Sequence, residues 1–458
     1  MKNITFHLRT NSIYYVEFKQ IYSQYRIDFP ETNKLQFINK LGGKHRHRIK
    51  MMLPFLNVRY RRKYQEVFQI TYLFVLFLTL FPSEGYANPD DRLSFSGFGR
   101  ITAGYLSTSQ ATYIGYSERL SLKPETLVGL QASYALNPEV SATVQGIIRT
   151  QQAADDDVIN WAYLSYQPGD NFLLKAGRLQ TPFFLLSDVL NVGYAYPWIS
   201  APQQVYRSWL FPTYHGIDAT WGHSSDMFDS SLEFYMGNYS GTHDSNYGET
   251  EYDVKIFGGV IARFDIDDLT FRISHHRGKA TLNKFELNQL RALLEGAGYN
   301  KTAHAFNQMH LIDLEEAAIS YETIDYFLRA EWTMINARQA YLIQDVQSYY
   351  ISAGYNIQPV TLYVTFAQSN VRYRENAHEI PVTDRAAHQA IRTIKSKSQD
   401  NLTTWTFGAR WDVHPQIALK AEMTVLEGKQ GEQAFFHSIQ DGFDRNANLY
   451  RVSLEWVF

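Results

Sequence analysis

From Leu93 to Phe458, apolar and polar residues alternate with a period of two, segment after segment. Side chains of a strand point alternately to its two faces, so each segment has one oily face and one wet one. Leu93, Phe95, Ile101, Ala103 and Tyr105 share one side of the first segment, and Ser94, Ser96, Arg100 and Thr102 the other. Residues 126–136 and 140–149 repeat the pattern, with Val128, Leu130, Ala132 and Tyr134, then Val140, Ala142, Val144 and Ile148, on the apolar side. The connections come in two sizes that alternate. Seven are tight: 137–139, 168–171, 223–228, 266–268, around Asp325, 357–359 and 413–416. Eight are long: 106–125, 150–157, 182–213, 240–252, 278–313, 337–344, 370–400 and 427–446.

Together they join sixteen strands, with short connections at one end and long ones at the other. A soluble antiparallel sheet would mix the two. Strands of 9–12 residues match a tilted bilayer crossing, and a sheet in lipid must close because open-edge backbone groups find no water there. The expected fold is therefore all-β: a 16-stranded antiparallel transmembrane β-barrel with short periplasmic turns and long extracellular loops. A barrel of this size encloses an aqueous channel. Composition agrees. Aromatics reach 15% and charged residues only 19%, below the quarter usual in water-soluble domains. The mean hydropathy is −0.32, and the repeated apolar runs of about 20 residues that mark helical membrane proteins are missing. With no Cys, disulfide frameworks and Cys-ligated metals are excluded.

The N-terminal part is chemically different. Residues 1–87 hold 14 Lys and Arg against 5 Asp and Glu, leaving 29 basic and 41 acidic residues in 88–458. Arg59, Arg61, Arg62 and Lys63 precede the apolar run 67–81, and Gly85-Tyr86-Ala87 follows. A basic flank, an apolar run and small residues before a break describe a secretory signal peptide. As a helix the run spans roughly 22 Å, short of the roughly 30 Å hydrocarbon core. Cleavage is expected after Ala87, with translation starting at Met51 or Met52, leaving residues 88–458 as the barrel.

The last segment puts Tyr450, Val452, Leu454, Trp456 and Phe458 on one face and Arg451, Ser453 and Glu455 on the other. It resembles the C-terminal assembly signal of Gram-negative outer-membrane proteins, and the whole of Leu93–Phe458 resembles a 16-stranded outer-membrane porin. The segment from Lys175 to Phe183 (KAGRLQTPF) is similar to a strand end of phosphate-selective porins. The resemblance implies a loop after strand five, residues 182–213, that folds inward as a constriction. It also implies a homotrimer and recognition by the barrel assembly machinery, in outer-membrane lipid and lipopolysaccharide.

With apolar residues toward lipid, alternate residues line the pore. The basic candidates are Arg100, Arg149, Lys255, Arg263, Arg272, Arg329, Arg410, Lys420 and Arg451; the acidic ones are Asp218, Glu233, Asp253, Glu331, Asp412, Glu422 and Glu455. Lys175 and Arg178 fall on opposite faces of strand five, and either can be the inward one. Mixed fixed charges set up a transverse field. The anion-specific branch of the family relies on an arginine ladder and a lysine cluster, whereas the acidic balance of 88–458 favours weak cation preference. Reversing Arg100 or Arg149 is expected to shift the cation-to-anion permeability ratio. The constriction loop carries Tyr194, Tyr196, Trp198, Tyr206, Trp209 and Phe211, with Asp188 and Arg207 as its charges.

The expected function is an outer-membrane porin for passive diffusion of small hydrophilic solutes and ions. The alternatives are a solute-specific channel using the loop's aromatic rings as a platform, and a barrel enzyme. Local motifs for catalysis are missing: neither HExxH nor GxSxG occurs, and alternation sends adjacent His275 and His276 apart, a poor metal pair. No catalytic, metal or cofactor site is assigned, and no basic cluster after residue 87 suggests nucleic acid. Leu287, Leu290, Leu293 and Leu294 predict a short helix packed on another loop.

Overall fold

The computed structural model describes residues 92–151, 158–206, 211–245, 248–305, 309–338, 345–372, 379–396 and 399–458. The leader, its cleavage site and both start codons lie outside them.

Sixteen long strands form: β1 (Leu93–Leu106), β2 (Leu127–Ala135), β3 (Val140–Arg149), β4 (Ile159–Gly169), β5 (Phe172–Gln180), β6 (Thr213–Ser224), β7 (Asp229–Ser245) and β8 (Gly248–Ile266). They continue with β9 (Leu269–Lys284), β10 (Met309–Glu322), β11 (Tyr326–Arg338), β12 (Asp345–Ile357), β13 (Val360–Arg372), β14 (Leu402–His414), β15 (Ile417–Gly428) and β16 (Asn446–Val457). Each pairs antiparallel with its sequence neighbours, and β1 pairs with β16 to close the barrel. All seven tight turns fall where the alternation placed them.

One hairpin departs most from expectation. β7 and β8 run 17 and 19 residues, and most of the expected connection 240–252 is strand, with Ser240 opposite Asp253 and Thr242 opposite Glu251. The register shifts between Gly237 and Tyr239, where the polar extension begins. Residues of both parities are polar there, so the period-two signal fades while the backbone keeps pairing.

Burial is inverted relative to a soluble protein. Ile217, Phe264, Ile351, Phe407 and Val452 are each more than 40% exposed on the outer face, while Arg100, Ser274, Glu331, Thr365, Lys420 and Arg451 are buried inside. Lipid covers the first set.

The closing seam has its own packing. Gly97 and Phe458 exchange N–H···O bonds of 2.9 Å in both directions. The Trp456 ring lies against Gly99, where a Cβ would sit 2.3 Å from its Cζ2, and Phe458 lies against Gly97 in the same way. Only glycine permits this approach. Gly99→Val is expected to destabilise the barrel by about 1–3 kcal/mol through overpacking, seen as a lower temperature for its heat-modifiable shift on gels.

At the long-loop end, α1 (Gln203–Tyr206) belongs to the connection after β5. The helices α2 (Phe285–Gly296) and α3 (Asn300–Ala305) follow β9, and α4 (Arg385–Ser396) follows β13. Leu290, Leu294 and Ala303 bury against Ile380, Ala387 and Ile391, so α2 does pack on another loop. Asp384 caps α4, accepting the Ala387 N–H at 3.1 Å and the Tyr299 hydroxyl at 2.8 Å. These two bonds hold its carboxyl below the usual aspartate range.

Candidate channel constriction

Residues 181–206 leave the top of β5 and turn into the lumen, and 211–212 lead into β6. Thr181 ties the base of the loop, its N–H donating to Pro212 O at 3.0 Å and its hydroxyl to Phe211 O at 2.8 Å. The first anchor is apolar. Phe183 and Phe211 meet edge-on at 5.5 Å, and Phe211 packs edge-on against Phe257 of β8 at 4.8 Å and stacks on Tyr239 of β7 at 4.8 Å. Tyr214, Tyr235, Phe257 and Ile261 are inward-facing wall residues that the loop covers. The lumen wall is therefore apolar where the loop rests on it, an exception that a polar-inside rule misses.

The second anchor is electrostatic. Arg272 donates to Pro182 O at 2.6 Å and pairs with Glu316 at 2.5 Å. Glu331 accepts the Leu185 N–H at 3.0 Å and the Tyr206 hydroxyl at 2.5 Å. Further along, Arg410 donates to Tyr194 O at 2.7 Å, Arg100 to Ile199 O at 2.9 Å, and Glu422 accepts the Ile199 N–H at 2.8 Å. Lys420 donates to three loop carbonyls and pairs with Glu455. Arg451 holds Glu125, Glu422 and Ser200. Arg329 pairs with Glu322 and lies 5.4 Å over the Trp198 ring. Arg149 reaches Asn191 at 2.9 Å.

Most of the predicted lumen charges are thus inward, but they are spent on holding the loop. Reversing Arg100, which is 9% exposed, would act on the loop before it acted on a passing ion. Three of the loop's rings, Tyr196, Trp198 and Tyr206, are 2%, 1% and 5% exposed and pack into the wall. Trp198 donates its indole N–H to Thr365 at 2.7 Å. Tyr194 is half-buried and sends its hydroxyl to Pro415 O. Arg207 and Trp209 lie outside the described residues.

Strand five is now resolved. Lys175 stands between its register partners Ser165 and the buried Asp218, which puts it on the inward face. Arg178 shares the opposite face with Ala162 and the exposed His215, and so is removed from the pore-lining set. Lys255 sits at a register shift of β8 and is exposed. On the β5–β8 side, Asp188 is exposed, Lys175 and Glu233 are half-buried, and Arg263 pairs with Asp265 at 2.8 Å.

A barrel closed by sixteen strands, with its fifth connection fastened inside, matches what the family comparison finds. The Gram-negative porin model aligns with residues 77–431. The chain belongs to the Gram-negative porin family. It is a β-barrel of the bacterial outer membrane and a channel. Among curated proteins no sequence matches this porin. Solved structures similar to it include Vibrio cholerae OmpT (11% identity, TM-score 0.46, covering 81% of this chain and 99% of that one). The outer membrane channel DcaP of Acinetobacter baumannii is similar at 11% identity and TM-score 0.49, covering 82% and 99%. The anion-selective porin of Comamonas acidovorans is similar at 13% identity and TM-score 0.47, covering 80% and 99%.

Proposed function

We propose that this porin passes small hydrophilic solutes and ions by passive diffusion past the inward loop, with a weak preference for cations. One observation carries the reading: charges on the β9–β16 side are largely consumed in pairs and carbonyl contacts, whereas the β5–β8 side keeps the exposed carboxylate of Asp188 on the loop. There Lys175 and Asp218 are register partners on β5 and β6, and Arg263 pairs with Asp265. Fixed charge in a narrow water-filled path raises the local concentration of counter-ions, more so at low salt.

Reversal potentials of the purified protein across a potassium chloride gradient test this. The sign is expected to report cation preference, and the variant Asp188→Asn to bring the permeability ratio toward one. A ratio that stays put would place the ion path elsewhere. We propose further that residues 1–87 are removed on export, so that N-terminal sequencing of the membrane form reads Asn88. The channel is proposed to work as a homotrimer among outer-membrane lipid and lipopolysaccharide, assembled through its C-terminal strand by the barrel assembly machinery. Truncation of Phe458 is expected to lower its level in the outer membrane.

A further inference from the structure

We infer that Lys420 is the positioning residue that fixes the bore of this channel, its ammonium acting as a built-in cation around which the inward loop is wound. The inference rests on the channel reading and goes beyond it. Both side chains of the Lys420–Glu455 pair are fully buried, 2.6 Å apart. The same Nζ donates to the carbonyls of Gly193, Tyr196 and Trp198, each at 2.7 Å. Three carbonyls from six consecutive residues converge on one point. Their dipoles repel one another there unless a positive charge sits among them, so the curl of the loop depends on the cation.

The surroundings enforce the placement. Gly193 lies so close to Glu455 that a Cβ would stand 2.8 Å from both carboxylate oxygens. The Tyr196 ring offers its face to Nζ at 5.3 Å. Arg410 holds the Tyr194 carbonyl and shares that of Tyr196 at 3.2 Å, and Arg100 holds that of Ile199, but the ammonium alone binds the carbonyls of Gly193 and Trp198 together with that of Tyr196. Three carbonyls converging on a point, with a carboxylate beside them, suit the three N–H donors of a compact ammonium; the planar fork of arginine does not fit them.

The test uses the full chain, with Lys420→Ala in planar bilayers and in hydrogen exchange of the 190–200 segment. Conductance is expected to rise at least about twofold as the loop leaves the wall, with faster exchange of those amides. Millimolar n-propylammonium, which replaces the deleted atoms, is expected to restore both wild-type values, while n-propanol, tetramethylammonium and Lys420→Arg do not. Wild-type conductance and protection in Lys420→Ala would overturn the inference, as would loss of both without amine rescue. Should the alanine variant not fold, the charge-neutral Lys420→Met, Glu455→Gln pair takes its place. That double variant is expected to show the wider bore and the faster exchange, and wild-type values in it would equally overturn the inference. If the unaltered protein conducted nothing, the channel reading would fall, while the exchange experiment would still decide the role of Lys420.

Discussion

Excising residues 185–205 and joining Phe184 to Tyr206 through a short glycine–serine linker is expected to multiply single-channel conductance several-fold. The two rings already lie 5.3 Å apart, so the linker has little to span. A sixteen-stranded barrel without an inward loop is wide enough for an open aqueous channel, and the loop is what narrows it here. Excision also exposes Arg100, Arg410, Lys420 and Arg451 together with Glu422 and Glu455, a set with more cations than carboxylates. Cation preference is therefore expected to weaken in the same recordings. Conductance equal to that of the intact protein would mean that ions do not pass this loop at all.

The second large effect is on stability. Arg451 is 6% exposed and donates to Glu125 at 2.9 and 3.0 Å, to Glu422 at 2.5 Å and to Ser200 at 2.7 Å. Arg451→Met leaves two carboxylates buried without their main partner, a loss of about 3–5 kcal/mol. Unfolding in denaturant, followed by the heat-modifiable gel shift, is expected to move to markedly milder conditions. Adding Glu422→Gln is expected to recover part of the loss, because the orphaned charge is then gone. The same site has a pH signature. Burial opposes ionisation of Glu125, but Arg451 and Arg100 overcome it and hold its carboxyl below the ordinary glutamate value of 4.5. Its contribution is therefore fully present above 4.5 and drains away as pH falls through the lower folded value. Stability measured from pH 7 down to pH 3 is expected to fall more steeply in the intact protein than in Arg451→Met. Parallel curves would show that Glu125 is not held by this arginine.

The barrel was legible in the sequence because lipid imposes a rule on every strand. Apolar residues at alternate positions and the alternation of short and long connections placed all seven tight turns. Legibility stopped where lipid stopped. Tyr239–Ser245 pairs with Gly248–Val254 although polar residues stand there at both parities. The helix α4 carried a readable signal that the polar look of 370–400 hid: Asp384 as a cap, then Ala387, Ala390, Ile391 and Ile394 at helical spacing. In the constriction, the inward direction of Arg100, Arg272, Lys420 and Arg451 followed from alternation. Their use did not. Whether an inward charge meets water or a carbonyl depends on a loop whose path is set by contacts with strands far away in sequence. Tyr214, Tyr235 and Phe257 were missed for the same reason, since an apolar residue facing inward makes sense only under Phe183 and Phe211. Strand five was ambiguous because both of its cations sit at opposite parities; the register with Asp218 decides for Lys175.

The glycine seam between β1 and β16 bears on biogenesis. Of the barrel strands, β16 is the last to be synthesised, and the notch at Gly97 and Gly99 stays empty until Trp456 and Phe458 arrive. Until that moment the sheet has two raw margins, and each is a hazard for sticking to other chains. Finishing the cylinder is thus a single terminal event, and a nascent molecule cut short by even one strand is left as an open ribbon that a protease can recognise.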